Sequence, residues 1–156
     1  RFNVATTFTR AAEESLIDVK SSLHIGARGP TNDNSVFNHT RDVGYGLIDG
    51  SELFNAGLNN TAKKIVKSLE GRPVYLCFDM DFFDPSCAPG VCTPTWGGAT
   101  SREGLEFLQN LIGLNLVGAD INTVSPPHDI SGMTAFLAAT VGLEILSLIC
   151  HSKKLI

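Results

Sequence analysis

The feature that most constrains this chain is Val74-Tyr75-Leu76-Cys77-Phe78, an unbroken apolar run of strand length that ends directly on Asp79-Met80-Asp81. A continuous run of this kind is expected of a strand covered on both faces within a parallel sheet. Alternation along an extended chain sends Asp79 and Asp81 to one side and Met80 to the other. Two carboxylates held this close repel, and one takes up a proton unless a cation lies between them. Strand ends in open α/β sheets are also where sites form. Asp79 and Asp81 are therefore candidate metal ligands. Asp84, beside Pro85, suits a turn as well as a site.

Strand and helix patterns alternate around this run. Residues 7–17 have helical apolar spacing at Phe8, Ala12 and Leu16. Leu23 to Ala27 reads as a short strand entering a Gly/Pro/Asn loop from Gly29 to Asn34, and Tyr45 to Ile48 as another strand. One helix is expected over about 51–69, with Gly71 past its end. The stretch from Met80 to Gly98 is rich in Pro and Gly and long for a connection, which points to function. Thr100-Ser101-Arg102-Glu103 has the capping-box pattern and opens a helix through about Ile112. Leu116 to Val124 is the next strand. Ser131 to about Ser152 forms a final helix whose apolar residues cover most of its circumference, so it is expected to be largely buried. The alternation implies an α/β layered fold with a mainly parallel sheet. At 156 residues the chain is one domain's worth, with no visible repeat or dividing linker.

Composition removes several classes of function. Net charge is −4 and the basic residues are scattered, which argues against a nucleic-acid partner. No apolar run approaches the roughly 20 residues that span a bilayer, so no membrane segment is expected. Cysteines at 77, 87, 92 and 150 suit neither a zinc ribbon nor a disulfide scaffold. Reduced thiols and a cytoplasmic setting follow, with a Cys87–Cys92 bridge as the alternative. The chain opens on Arg1 rather than Met and runs straight into structured sequence, as a fragment would.

A strand followed by D-x-D also opens phosphatases of the haloacid dehalogenase type, where the first Asp is a nucleophile and the second a general acid. That type wants Thr or Val two residues beyond the second Asp, and here Phe83 stands there. The longer stretch decides otherwise. Phe78-Asp79-Met80-Asp81-Phe82-Phe83-Asp84-Pro85-Ser86, then Ala88-Pro89-Gly90, Thr93-Pro94, Gly97-Gly98 and Thr100-Ser101-Arg102-Glu103, closely resembles the signature of the ureohydrolase (arginase–agmatinase) family. Downstream, Val124-Ser125-Pro126-Pro127-His128-Asp129 with Gly132-Met133-Thr134-Ala135 looks like the agmatinase branch.

The resemblance implies a three-layer α/β/α sandwich with a mainly parallel sheet, incomplete in this chain, with residues 1–156 forming the C-terminal part of a single ureohydrolase domain. It implies trimers or hexamers of one chain and a pair of Mn²⁺ ions, with Ni²⁺ the alternative on ligand-hardness grounds. The implied reaction is hydrolysis at a guanidino carbon, releasing urea and an amine. Asp79 matches a carboxylate shared by both metals, Asp81 a carboxylate on one of them, and Thr93 a hydroxyl near the substrate. His128, where relatives often carry Tyr, is a further candidate for touching substrate.

Three departures qualify this. The remaining ligands that the family draws from G-G-D-H and D-A-H-x-D motifs occur nowhere in the chain, so the isolated fragment is expected to be inactive. The family's substrate-gripping Glu, two residues before Ser-Pro-Pro, is replaced by Thr123. A hydroxyl cannot supply the charge-assisted pairing, which is about twice as strong as a neutral hydrogen bond. Within an agmatinase-like activity, a small guanidino compound such as guanidine is a candidate substrate, and a catalytically silent partner of an active paralogue is the alternative. Lastly, Val4 lies where relatives carry a His able to shuttle protons. Trp96 is expected to pack beneath its loop.

Overall fold

The computed structural model describes residues 3–30 and 36–155. Residues 31–34 of the expected Gly/Pro/Asn loop lie outside the described residues. The chain divides into two compact units, residues 1–52 and 53–156.

In the first unit, α1 (Thr7–Glu13) ends earlier than its apolar spacing implied, where Ser15 turns to a φ of 56°. Strand β1 (Leu23–Ala27) runs as expected. It is followed by α2 (Val36–Val43), which the sequence reading missed, and by β2 (Gly46–Asp49). The two strands pair in parallel, with Leu23 opposite Gly46 and Ile25 opposite Ile48. His24 stands edge-on between the rings of Phe8 and Tyr45, and burial pushes its pKa down. The Tyr45 hydroxyl donates to the Phe8 carbonyl at 2.7 Å. This histidine has a packing role.

The single helix expected over 51–69 is two. Helix α3 (Gly50–Ala56) and α4 (Leu58–Ser68) meet at Gly57, whose φ of 82° is a conformation glycine adopts without a Cβ penalty. Within the second unit, β3 (Pro73–Asp79) leads into a 3₁₀ turn at Met80–Phe82. Then come α5 (Ser101–Gln109), β4 (Asn115–Asn122) and α6 (Met133–Ser152). Strands β3 and β4 pair in parallel, with Cys77 opposite Asp120 and Asp79 opposite Asn122. Helix α6 packs on β4 and α5, and α5 also packs on α4. Leu53, Met80, Phe83, Leu108, Leu116 and Val141 are fully buried and form the core. The strand–helix order and the parallel pairings give the expected α/β fold.

Two burial expectations are corrected. Strand β3 is not covered on both faces: Tyr75, Cys77 and Asp79 alternate onto one side, and Tyr75 and Asp79 are exposed. Helix α6 buries only a stripe, through Thr134, Val141, Ile145 and Leu148, while Phe136 and Leu143 are 78% and 66% exposed. An all-round apolar helix needs neighbours on every side, and here it has them on one. At 20 residues it is also long and apolar enough to cross a membrane by length and composition, with mean hydropathy 1.9 over its most apolar 18 residues. Thr140, Glu144 and Ser147 interrupt its apolar sequence, so it does not stand out as a continuous run. The same test is passed by core helices of water-soluble folds, so this is weak evidence of a span.

Candidate functional site

The site begins with the turn after β3. Met80 is fully buried, and the rings of Phe78, Phe82, Phe83 and Phe107 pack against one another with centroids 5.6 to 6.0 Å apart. These apolar anchors hold the backbone on both sides of the aspartates. Met80 enters the core, and Asp79 and Asp81 are left facing out of it; Asp81 lies in the 3₁₀ turn, so the apolar anchors and not strand alternation place it.

The long connection is folded back on itself rather than loose. The Asp84 amide donates to the Ala99 carbonyl at 2.8 Å and the Ala99 amide to the Phe82 carbonyl at 3.1 Å, which closes its neck. The Asp84 carboxylate accepts from the amides of Ser86 at 2.9 Å, Gly97 at 2.9 Å and Gly98 at 3.2 Å. The Ser86 hydroxyl and amide, and then the two glycine amides, hold its pKa down at about 2. Of the two roles open to Asp84, the turn role is the one observed. Trp96, at 76% exposed, does not pack beneath the loop. The rigid Pro94 before it and Gly97 (φ 79°) after it carry the chain outward there.

Asp81 is gripped from two directions. The Thr93 hydroxyl donates to its Oδ2 at 2.8 Å, and its own backbone N–H donates to the Thr123 hydroxyl at 3.2 Å. The loop bearing Thr93 is tied to the segment after β4. The Cys92 amide donates to the Thr123 carbonyl at 3.1 Å and the Ser125 amide to the Gly90 carbonyl at 2.8 Å, around a bridge between Val91 and Val124. Three of the candidates, Asp81, Thr93 and Thr123, are thus joined by hydrogen bonds, and Asp79 lies two residues from Asp81 at the end of β3.

His128 sits in the 3₁₀ turn Pro126–His128 and is exposed. Its Nδ1 lies 2.7 Å from the Ser125 hydroxyl, so it hydrogen-bonds Ser125 rather than either aspartate. The next residue, Asp129, starts α6: its Oδ1 and Oδ2 accept the amides of Thr134 and Ala135, each at 2.9 Å.

The strands add residues the sequence reading passed over. Asp120 on β4 accepts from the Tyr75 hydroxyl and, at its other oxygen, from the Asn122 amide group, each at 2.5 Å. Asn122 also reaches the Cys77 sulfur at 3.4 Å. The alternation of Asp120 and Asn122 along β4 was the available signal. Desolvation by the surrounding protein, then the charges of Asp81 and Asp120, raise the Asp79 carboxyl above its ordinary value. Burial, followed by the neighbouring Asp120, pushes the Cys77 thiol up to about 12. At neutral pH Cys77 is therefore a thiol and a poor metal ligand.

This chemistry fits part of a centre for a hard divalent cation. The donors are carboxylate oxygens, and their mutual repulsion is the kind a cation relieves. Among the described residues, no group of three or more His, Cys, Asp or Glu is placed to hold a metal by itself. All four cysteines are free.

The sequence profile of the arginase family matches residues 1–147. The chain is 38% identical over 141 residues to a guanidinobutyrase of Pseudomonas aeruginosa, covering 90% of this chain and 44% of that protein. It is 36% identical over 154 residues to an agmatinase of Photorhabdus laumondii, covering 99% of this chain and 48% of the relative. The solved structure of a proclavaminate amidino hydrolase from Streptomyces clavuligerus superposes with a TM-score of 0.90 at 35% identity, over 97% of this chain and 50% of that one. The chain thus spans about half the length of the relatives it matches.

Proposed function

The chain belongs to the arginase family, and we propose that the whole protein hydrolyses a C–N bond of a guanidino compound, releasing urea and an amine. The observation that carries this is the paired carboxylate turn, with Asp79 and Asp81 outside a phenylalanine core and Asp81 fastened by Thr93 and Thr123. The phosphatase reading falls away with the family assignment.

Asp79 and Asp81 would be two of the carboxylates that hold a pair of Mn²⁺ ions, or Ni²⁺ as the alternative, with the remaining ligands supplied from outside this chain. When bound, such a pair lowers the pKa of the attacking water and stabilises the charge that develops on it. The residues of this chain orient and select. The Thr93 hydroxyl donates to Asp81 Oδ2, which fixes the carboxylate's rotation. Thr123 provides a neutral hydroxyl just past the end of β4, which cannot itself give a guanidinium the charge-assisted pairing of a carboxylate. The Ser125 hydroxyl engages His128 at Nδ1 and leaves Nε2 for a substrate group. Water adds to the guanidino carbon, the tetrahedral adduct breaks its C–N bond, and the departing nitrogen takes a proton to leave as the amine, or as ammonia where the substrate is guanidine.

The names of the relatives point to guanidino acids and agmatine, whereas Thr123 points to a smaller substrate such as guanidine. Measuring kcat/KM of the full-length protein for guanidine, agmatine and 4-guanidinobutyrate tests this. Guanidine is expected to give the highest value, and a strong preference for agmatine would sink the small-substrate reading. The same replacement also favours a second reading, a silent subunit that supports an active paralogue. That reading requires no turnover with any of the three, together with loss of His ligands in the part of the protein outside this chain. Self-assembly as a trimer or hexamer belongs to the first reading, and light scattering of the full-length protein reads it directly.

A further inference from the structure

We propose that Thr123 is a positioning residue: its hydroxyl fixes the Met80–Phe82 turn so that Asp81 presents its carboxylate beside Asp79. This rests on reading Asp79 and Asp81 as metal carboxylates, and gives position 123 a task other than gripping a guanidinium.

The backbone carries the first part of the case. Thr123 has a φ of 69°, in the left-handed region. The other non-glycine residues with positive φ among those described are Ser15, Ser131 and Lys154, so Thr123 is the β-branched one. A β-branched residue there is a real outlier, because its Cβ substituents crowd the backbone. Such a conformation persists only where the surroundings over-determine it, and it clusters at functional sites. The surroundings are visible: the Thr123 carbonyl takes the Cys92 amide at 3.1 Å, and Ser125 takes up the Gly90 carbonyl at 2.8 Å. These backbone bonds would be served equally well by glycine, which enters this region without strain. What threonine adds is the hydroxyl.

That hydroxyl accepts the Asp81 amide at 3.2 Å across 42 residues of sequence. Thr93 holds the same aspartate by its carboxylate at 2.8 Å. One hydroxyl therefore fixes where the Asp81 backbone lies, and the other fixes how its side chain turns. Because Cys92 is bonded to Thr123 and Thr93 follows Cys92, the two hydroxyls cannot shift independently.

The test is a Mn²⁺ titration of the metal-depleted full-length protein without substrate, alongside thermal unfolding of the metal-free form. T123S should bind Mn²⁺ as the wild type does. T123G and T123V should both bind it ~10- to 100-fold more weakly, the range seen when an outer-shell partner of a metal ligand is removed. T123G should nevertheless unfold at the same temperature or higher, because glycine relieves the strained φ. A merely structural threonine would move stability and leave metal affinity alone. The proposal is overturned if T123G binds Mn²⁺ like the wild type, or if metal binding falls only in step with unfolding temperature. A wild-type protein that takes up no divalent cation would instead remove the metal-site reading itself, and this inference with it.

Discussion

Asp84 accepts three backbone amides, from Ser86, Gly97 and Gly98, and these bonds, with the Ser86 hydroxyl, keep its carboxyl ionised down to about pH 2. A depressed folded pKa stabilises the folded form above the unfolded value of 3.8, and that contribution is lost as pH falls from there through about 2. Trp96, the one tryptophan, lies in the same loop and reports on it. Its fluorescence should change across this acid window in the wild type. In D84N the change should be absent, with the loop already altered at neutral pH. An acid transition surviving unchanged in D84N would show that another group controls it. Packing makes a second prediction at this scale. A Cβ on Gly104 would lie 2.1 Å from the ring of Phe83, which is fully buried. Alanine normally favours a helix, but here overpacking dominates, and G104A should lose about 1–3 kcal/mol of stability in a denaturant titration.

At the level of elements, the clearest local instruction is the capping box that opens α5. The Thr100 hydroxyl accepts the Glu103 amide at 3.2 Å, and Glu103 returns the bond to the Thr100 amide at 2.8 Å. T100A should cost about 1 kcal/mol, read as a lower urea midpoint at constant slope. This box was legible in the sequence because both partners lie within one turn, as was the Leu23–Ala27 strand with its own alternation and boundary. Other features depended on partners far away in sequence. Gly57 splits a helix whose apolar spacing runs straight through it, so periodicity alone could not see the break. The strand expected to reach Val124 stops at Asn122, because Thr123 enters the left-handed region to meet Asp81 and Cys92. The paired aspartates were legible from their place at the end of an apolar strand, although Asp81 lies in a 3₁₀ turn, where alternation does not hold. Asp120 was missed because its relation to Asp79 exists only once β3 and β4 pair in register.

At the scale of the whole molecule, burial was the hardest quantity to read, since cover for an apolar face can come from residues outside the chain. Met133, Phe136, Leu143 and Leu146 recur at helical spacing on α6 and are all exposed. The 156-residue chain in isolation should therefore bind a hydrophobic dye strongly. Replacing Phe136 and Leu143 with Ser should lower that signal without lowering the unfolding temperature, and unchanged dye binding would place the apolar surface elsewhere. The candidate metal ligands are likewise too few among the described residues to complete a centre. A purified 1–156 chain supplied with Mn²⁺ should release no urea from guanidine or agmatine, and measurable turnover would refute the view that the remaining ligands come from outside it.

The mooring of Gly90 has a consequence for how this loop can change length. Its amide donates to the buried Thr134 hydroxyl at 2.8 Å, and a Cβ on it would lie 2.5 Å from that of Asp129. From Gly90 to Thr93 the chain is pinned at nearly every residue, and the same few atoms also start α6. An inserted residue there would displace both a helix origin and the hydroxyl that holds Asp81. Between Thr95 and Gly97, where Trp96 projects into solvent, an extra residue displaces little. Length variation in this loop should therefore be confined to its tip, so that one protein can acquire a different rim around its site without rebuilding the floor.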